Sequence, residues 1–146
     1  MAGKMRQADV EEIYRSGPWR PLHALLASVR ASEKSFSVFD GVDSPVPVLM
    51  YGVVKRKRIF DTRAIIWMLG TDKVFSVKKR FLKQCGREMD ELFSGLTVYN
   101  YIDADNKQSL RWLKWLGFDI LPAEPRGWLK KPFHYIERTY PDVRTD

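Results

Sequence analysis

The side chains with the means to do chemistry in this chain are mostly cations, and they come in groups. Lys55-Arg56-Lys57-Arg58 is the sharpest charge run. Such a run grips phosphates without reading sequence, or it simply solvates a hairpin loop. Lys78, Lys79, Arg80 and Lys83 crowd the first turns of a helical pattern whose Phe81, Cys85, Met89, Leu92 and Phe93 share one apolar face. Cations there oppose the helix dipole, so an external anion would offset them; the competing account is a solvated face that tolerates the penalty. Groups suited to proton transfer or metal binding are few. His23 and His134 are the only histidines and Cys85 the only cysteine, which leaves no zinc-ligand cluster and no disulfide framework. Cys85 reads as inert core and His134, set among aromatics, as a structural histidine. Trp128 sits in a loop with Arg126, Lys130 and Lys131, where it either stacks on a base or ring or tucks into the body. No catalytic residue follows from types and spacing alone.

The framework that must position these groups is organised around residues 97–118. Thr97 to Ile102 is β-branched and aromatic, which suits a buried strand. Asp105 with Gln108 fits a capping box for the helix that follows. Leu110, Trp112, Leu113, Trp115 and Leu116 cover a wide apolar arc, and Lys107, Arg111 and Lys114 form a basic stripe opposite. Gly117 stands where a left-handed residue would end the helix, with Phe118 packing back. Upstream, Lys4 to Gln7 is a candidate first strand, and Asp9 with Glu12 a second capping box opening a helix through Arg15. Pro21 suits the first turn of the next helix. Strands are expected over 35–40, 46–54 and 63–69, the last of these the most apolar and central. Ser76 is a plausible cap for the helix carrying the second cationic group. Residues 119–121 and 133–138 close the sheet, with a loop between them, and 141–146 is a frayed tail. The expectation is one domain over residues 1–140.

Two features resemble a known family. Asn106, Ser109, Trp112, Leu116, Gly117 and Phe118, straight after a strand, resemble the fourth helix of GNAT-family N-acetyltransferases. WMLGTD at 67–72, FLK at 81–83 and the run 106–118 also resemble small GNAT-like proteins of tailed phages, a group related to the internal virion protein A of short-tailed coliphages. The likeness spans roughly residues 5–138. It implies an α/β fold with a mixed, mostly antiparallel sheet of six or seven strands and helices on both faces. It also implies a cleft between strands 63–69 and 97–102, where Leu69, Gly70, Lys78, Lys79, Arg80 and Asn106 would form a CoA or anion site, with acetyl-CoA as the cofactor if there is one. The first helix pair would flank the acceptor side.

Two signatures of that family are missing. The family's Gln/Arg-x-x-Gly-x-Gly/Ala loop lets bare backbone N–H groups approach a pyrophosphate; residues 70–80, GTDKVFSVKKR, lack the glycine pair. A tyrosine in the family's fourth helix often protonates the departing thiolate, and here Leu113 takes its place. The resemblance therefore implies a GNAT-fold phage protein of virion morphogenesis, or an internal virion protein, with little or no catalysis. Other virion or assembly proteins would be its partners, and the virion or host cytoplasm its location. The alternative is a working acyl-CoA-dependent N-acetyltransferase. A second alternative is a non-specific nucleic-acid module using Lys55, Arg56, Lys57, Arg58, the 78–80 cations and Trp128.

Composition bounds these readings. At 146 residues and 45% apolar, the chain can build one real core. No apolar run reaches the roughly 18 residues of a membrane span, and Met1–Arg6 has no apolar signal-like region. A net charge of +7 favours nucleic acid, a nucleotide cofactor or an acidic protein surface as partner.

Overall fold

The computed structural model describes residues 1–39, 46–55, 62–75 and 78–142, the side chains at 75, 78–82 and 85 excepted. Helices α1 (Gln7–Ser16) and α2 (Pro21–Ala31) precede strands β1 (Lys34–Val38), β2 (Leu49–Lys55) and β3 (Arg63–Gly70). Helix α3 (Lys78–Leu92), β4 (Thr97–Asp103), α4 (Lys107–Trp115), β5 (Asp119–Ile120), β6 (Glu124–Arg126) and β7 (Lys131–Thr139) follow. The seven strands form one sheet in the order β1-β2-β3-β4-β7-β5, with β6 also on β7. Every pairing is antiparallel except that of β3 with β4. The expected mixed, mostly antiparallel α/β sheet is therefore present.

Helices cover both faces, as the period of two along β3 shows. Ala64 and Ile66 join the main core with Met89 and Phe93 from α3 and Trp112, Leu113 and Leu116 from α4. Trp67, in the other alternation set, gives its indole N–H to Ser32 Oγ at the end of α2, 2.6 Å away. Its ring lies over Gly52, its register partner on β2, where a Cβ would stand 2.7 Å from the indole nitrogen. Glycine is needed there for close approach.

Several local expectations change. Lys4 to Gln7 is not a strand: residues Ala2–Lys4 form a 3-10 turn, and a single bridge joins Met5 to Thr71. Helix α1 begins at Gln7, so Asp9 and Glu12 lie inside it and face the protein rather than capping it. Helix α4 begins after Asn106 with no side-chain cap, because Asp105 is engaged by Arg15 at 2.7 Å. At its other end the expected stop is present. Gly117 has φ +89°, its N–H reaches Lys114 O at 3.1 Å, and that of Phe118 reaches Leu113 O at 2.9 Å. Those two bonds are the Schellman pair. Strand β6, which falls in the stretch expected to be loop, pairs with β7 through a turn carrying Gly127 at φ +77°. Of the expected tail, Asp142 accepts from Ser94 Oγ at 3.4 Å, while 143–146 lie outside the described residues.

Candidate active site at the parted strands

Strands β3 and β4 run in register only over Arg63↔Thr97, Ala64↔Val98 and Ile65↔Tyr99, although they contain eight and seven residues. Beyond that they part. Asn100 stands at the fork, its Nδ2 donating to Ile66 O at 2.6 Å. At the far end, Gly70 gives its N–H to Asp9 Oδ2 at 2.8 Å and accepts the N–H of Arg6 at 2.7 Å. The even positions of β3 therefore turn their backbone edge toward β4, and Met68 lies between Ile66 and Gly70 on that same edge.

A cavity of about 250 Å³ fills the gap. Residues 66–69 and 100–102 form its flanks; α1 and α2 close it on one side, α4 and β7 on the other. Most of the lining is apolar, including Ile13, Trp67, Ile102, Trp112, Leu113 and Phe133. Asp9 and Glu12 bring carboxyl groups into it. Arg126 of β6 lies over the Tyr101 ring, 3.3 Å from its centroid, so the strand missed in the sequence backs a cavity residue.

A buried polar network braces the wall. Asn106 accepts from Arg6 Nη2 at 2.9 Å and donates through Nδ2 to Glu12 Oε2 at 2.6 Å and Asp9 Oδ1 at 3.3 Å. The Asp103 N–H reaches Glu12 Oε1 at 3.2 Å. Arg15 Nη1 bridges Asp103 Oδ2 at 2.9 Å and Asp105 Oδ2 at 2.7 Å. Burial pushes the Glu12 carboxyl up to about 8, against the Asn106 hydrogen bond, which lowers it. Burial also raises Asp9, although Arg6 and the Gly70 N–H pull the other way. Arg15 is held protonated still more firmly, chiefly by its hydrogen bond to Asp105.

The residues expected to bind a cofactor divide. Leu69 lines the cavity; Gly70 and Asn106 are beside it, with the Gly70 N–H and the Asn106 side chain engaged by α1 and its N-cap. The side chains of Lys78, Lys79 and Arg80 lie outside the described residues, as do Arg56, Lys57 and Arg58. Lys55 is exposed and pairs with Glu33 at 3.3 Å. Trp128 is held against α1, its Nε1 donating to Tyr14 O at 2.6 Å and its ring edge-on to that of Tyr14, yet about half of it, 49%, stays exposed. The sequence reading missed Arg6, Asp9, Glu12 and Asn100 as site residues. The i, i+3 spacing of Asp9 and Glu12 was the available signal, since it places both on one face of a helix.

Comparisons with known proteins fit this geometry. Neither a protein-family model nor a curated protein matches the chain. Solved structures do. The fold is that of the GNAT acetyltransferases. A protein provisionally named a phosphinothricin N-acetyltransferase superposes with TM-score 0.61 at 17% identity, covering 94% of this chain and 84% of its own. A GNAT-family acetyltransferase from Streptococcus pneumoniae gives TM-score 0.58 at 8% identity over 83% of this chain and 75% of that one. Spermidine N-acetyltransferase from Vibrio cholerae, in complex with CoA and spermine, gives 0.56 at 9% identity over 81% and 71%.

The thioester arm of acyl-CoA fits the parted strands. The cavity is mostly apolar, and the Met68 edge offers a backbone N–H and C=O beyond the β3–β4 register. Of the loop expected to meet the phosphates, residues 70–80, Thr71 gives its N–H to Val48 O and Asp72–Phe75 form a 3-10 turn, while the backbone at 76–77 and the side chains at 75 and 78–80 lie outside the described residues.

Proposed function

We propose that this protein is an N-acyltransferase that moves an acyl group from acyl-CoA to an amine. The observation that carries the reading is the apolar cavity between parted, parallel strands β3 and β4, in a fold whose solved neighbours are acetyltransferases. When bound, the cofactor supplies an electrophilic thioester carbonyl and a thiolate leaving group. The backbone of Met68 and the side chains of Leu69, Trp112 and Leu113 would hold the arm and exclude water from it. Exclusion matters because a dry site strengthens each polar contact and suppresses hydrolysis. The amine would arrive from the α1–α2 side, where Ser16, Ala24 and Ser28 leave room at the cavity wall.

One observation favours a second reading, a GNAT-like fold that does not transfer acyl groups. The Gly70 N–H and Asn106, two of the expected cofactor contacts, are spent inside the protein. A thermal titration with acetyl-CoA separates the readings. Ligand at a hundred times its dissociation constant adds about 2.7 kcal/mol of stability, so the acyltransferase reading expects a clear rise in Tm. An unmoved Tm at millimolar acetyl-CoA would sink it.

A further inference from the structure

We infer that Glu12 is the proton acceptor of this site, placed to deprotonate an ammonium substrate carried on a compact apolar body. The inference rests on the acyltransferase reading and assigns a residue within it.

Geometry comes first. Glu12 stands on α1 in the cavity wall. Asn106 Nδ2 holds its Oε2 and the Asp103 N–H holds its Oε1. Each carboxylate oxygen has two acceptor sites, so one on each remains for a ligand. Two donors from separate elements fix the group's orientation, which a base acting at one atom requires.

Charge comes second. The titratable and charged groups around Glu12 are Arg6 and Asp9 with α1, Arg15 also on α1, and Asp103 and Asp105 at the end of β4. Arg6 pairs with Asp9 at 3.5 Å, and Arg15 pairs with Asp103 and Asp105. Among these described residues, Glu12 has amide donors and no cation. An ammonium group entering the cavity would complete the set. The pocket around it is apolar and aromatic, so the rest of the substrate should be a short alkyl or aryl body rather than a chain of further charges.

The environment suits the task. A carboxyl pushed up to about 8 by burial is far better matched to an amine than an ordinary one. In the reaction Glu12 takes one proton from the ammonium and later releases it to water. The freed nitrogen lone pair forms the C–N bond as the C–S bond breaks, and a second nitrogen-borne proton ends on the departing sulfur. No side-chain acid is needed at the position of Leu113.

Binding without cofactor gives one test. Near pH 7 the free Glu12 carboxyl is mostly protonated, so a bound ammonium should expel its proton. Calorimetric titration with 2-phenylethylamine, repeated in buffers of different ionisation enthalpy, should show close to one proton released, and Glu12→Gln should abolish that release. Turnover gives the other. In the wild type kcat/KM for 2-phenylethylamine should rise with pH to a plateau, with an apparent pKa near 8, and should exceed that for spermidine. Glu12→Gln should lower kcat about 100-fold while keeping the acetyl-CoA thermal shift. A shift retained with Glu12→Gln still within threefold of wild type would overturn the inference alone, as would amine binding with no proton release. The wild-type pH profile and proton count need no variant, so a Gln protein that fails to fold does not shield the idea. If the wild type shows no acetyl-CoA shift, the acyltransferase reading falls and this inference with it.

Discussion

Asn106 Nδ2 donates to Glu12 Oε2 at 2.6 Å, joining residues 94 positions apart in the chain. Through this bond the start of α4 fixes the carboxyl that α1 carries into the cavity. The same amide accepts from Arg6 and donates to Asp9, so one side chain ties the N-terminal segment to the site. A buried asparagine with its donors and acceptor met both organises a core and penalises any change at it.

That arrangement makes stability depend on pH in a definite direction. The Glu12 carboxyl titrates near its ordinary 4.5 when unfolded and near 8 when folded. Between those values the folded chain keeps a proton that the unfolded chain has lost, so stability falls as pH rises. The contribution is complete below about 4.5 and gone above about 8; Asp9, also raised, adds a loss of the same sign that starts lower. The urea midpoint of the wild type should therefore drop between pH 5 and 8.5, and that of Glu12→Gln should drop less. Parallel pH profiles for the two proteins would show that Glu12 is not protonated in the fold.

Two glycines give a graded test of backbone geometry. Gly117 has φ +89°, and the nearest atoms a Cβ there would meet belong to the Arg138 side chain, at 3.6 Å or more. Gly117→Ala should cost about 1 kcal/mol or slightly more, the penalty of a left-handed residue. Gly127 has φ +77° and a Cβ there would lie 2.3 Å from Arg15 O. Gly127→Ala must bear the same backbone strain and also move α1 off the β6–β7 turn. Its denaturation midpoint should fall well below that of Gly117→Ala. Equal midpoints would mean that the turn does not press on α1 in solution.

The parts of this fold that announce themselves are those governed by local periodicity. The apolar run of β3, the helix of residues 107–115 and its Gly117 stop are readable because neighbours in sequence are also neighbours in space. Glu12 and Asp9 were legible as helix residues but not as site residues. Their partners, Asn106 and Gly70, are 94 and 61 positions away, and nothing local separates a cap from a carboxylate facing a cavity. Strand β6 was hidden for another reason. Pro125 lacks an N–H, yet it tolerates an edge position beside β7. The parting of β3 from β4 is wholly non-local: it shows only in a register of three residue pairs and in an amide side chain at the fork.

The basic surface yields a prediction about nucleic acid. Lys107, Arg111 and Lys114 are exposed along α4, while Lys55 already has Glu33. A stripe of three cations on one helix face should bind DNA weakly and without sequence preference. Affinity should fall steeply from 50 to 200 mM salt, with each phosphate contact adding about 0.9 to the slope of log K against log salt. Reversing all three to Glu should flatten that slope and leave any acetyl-CoA shift in place. Sequence-selective binding that survives physiological salt would contradict this.

The last prediction concerns the fork itself. Asn100 donates through Nδ2 to Ile66 O at 2.6 Å and accepts the Tyr101 N–H on Oδ1 at 2.7 Å. The first bond satisfies a carbonyl that the β3–β4 ladder has abandoned. Asn100→Asp keeps the size and the acceptor but replaces the donor with a second carboxylate oxygen, which then faces the Ile66 carbonyl. Losing that bond and leaving two acceptors opposed should cost about 1–3 kcal/mol at pH 7. Protonation restores a donor, so the gap between variant and wild type should narrow at pH 4.5. The acetyl-CoA shift should shrink in the variant as well, because the parted strands lose the group that holds their junction. Chemical denaturation at both pH values checks the first claim and thermal titration the second. A variant as stable as wild type at pH 7 would show that water, not Asn100, serves the Ile66 carbonyl.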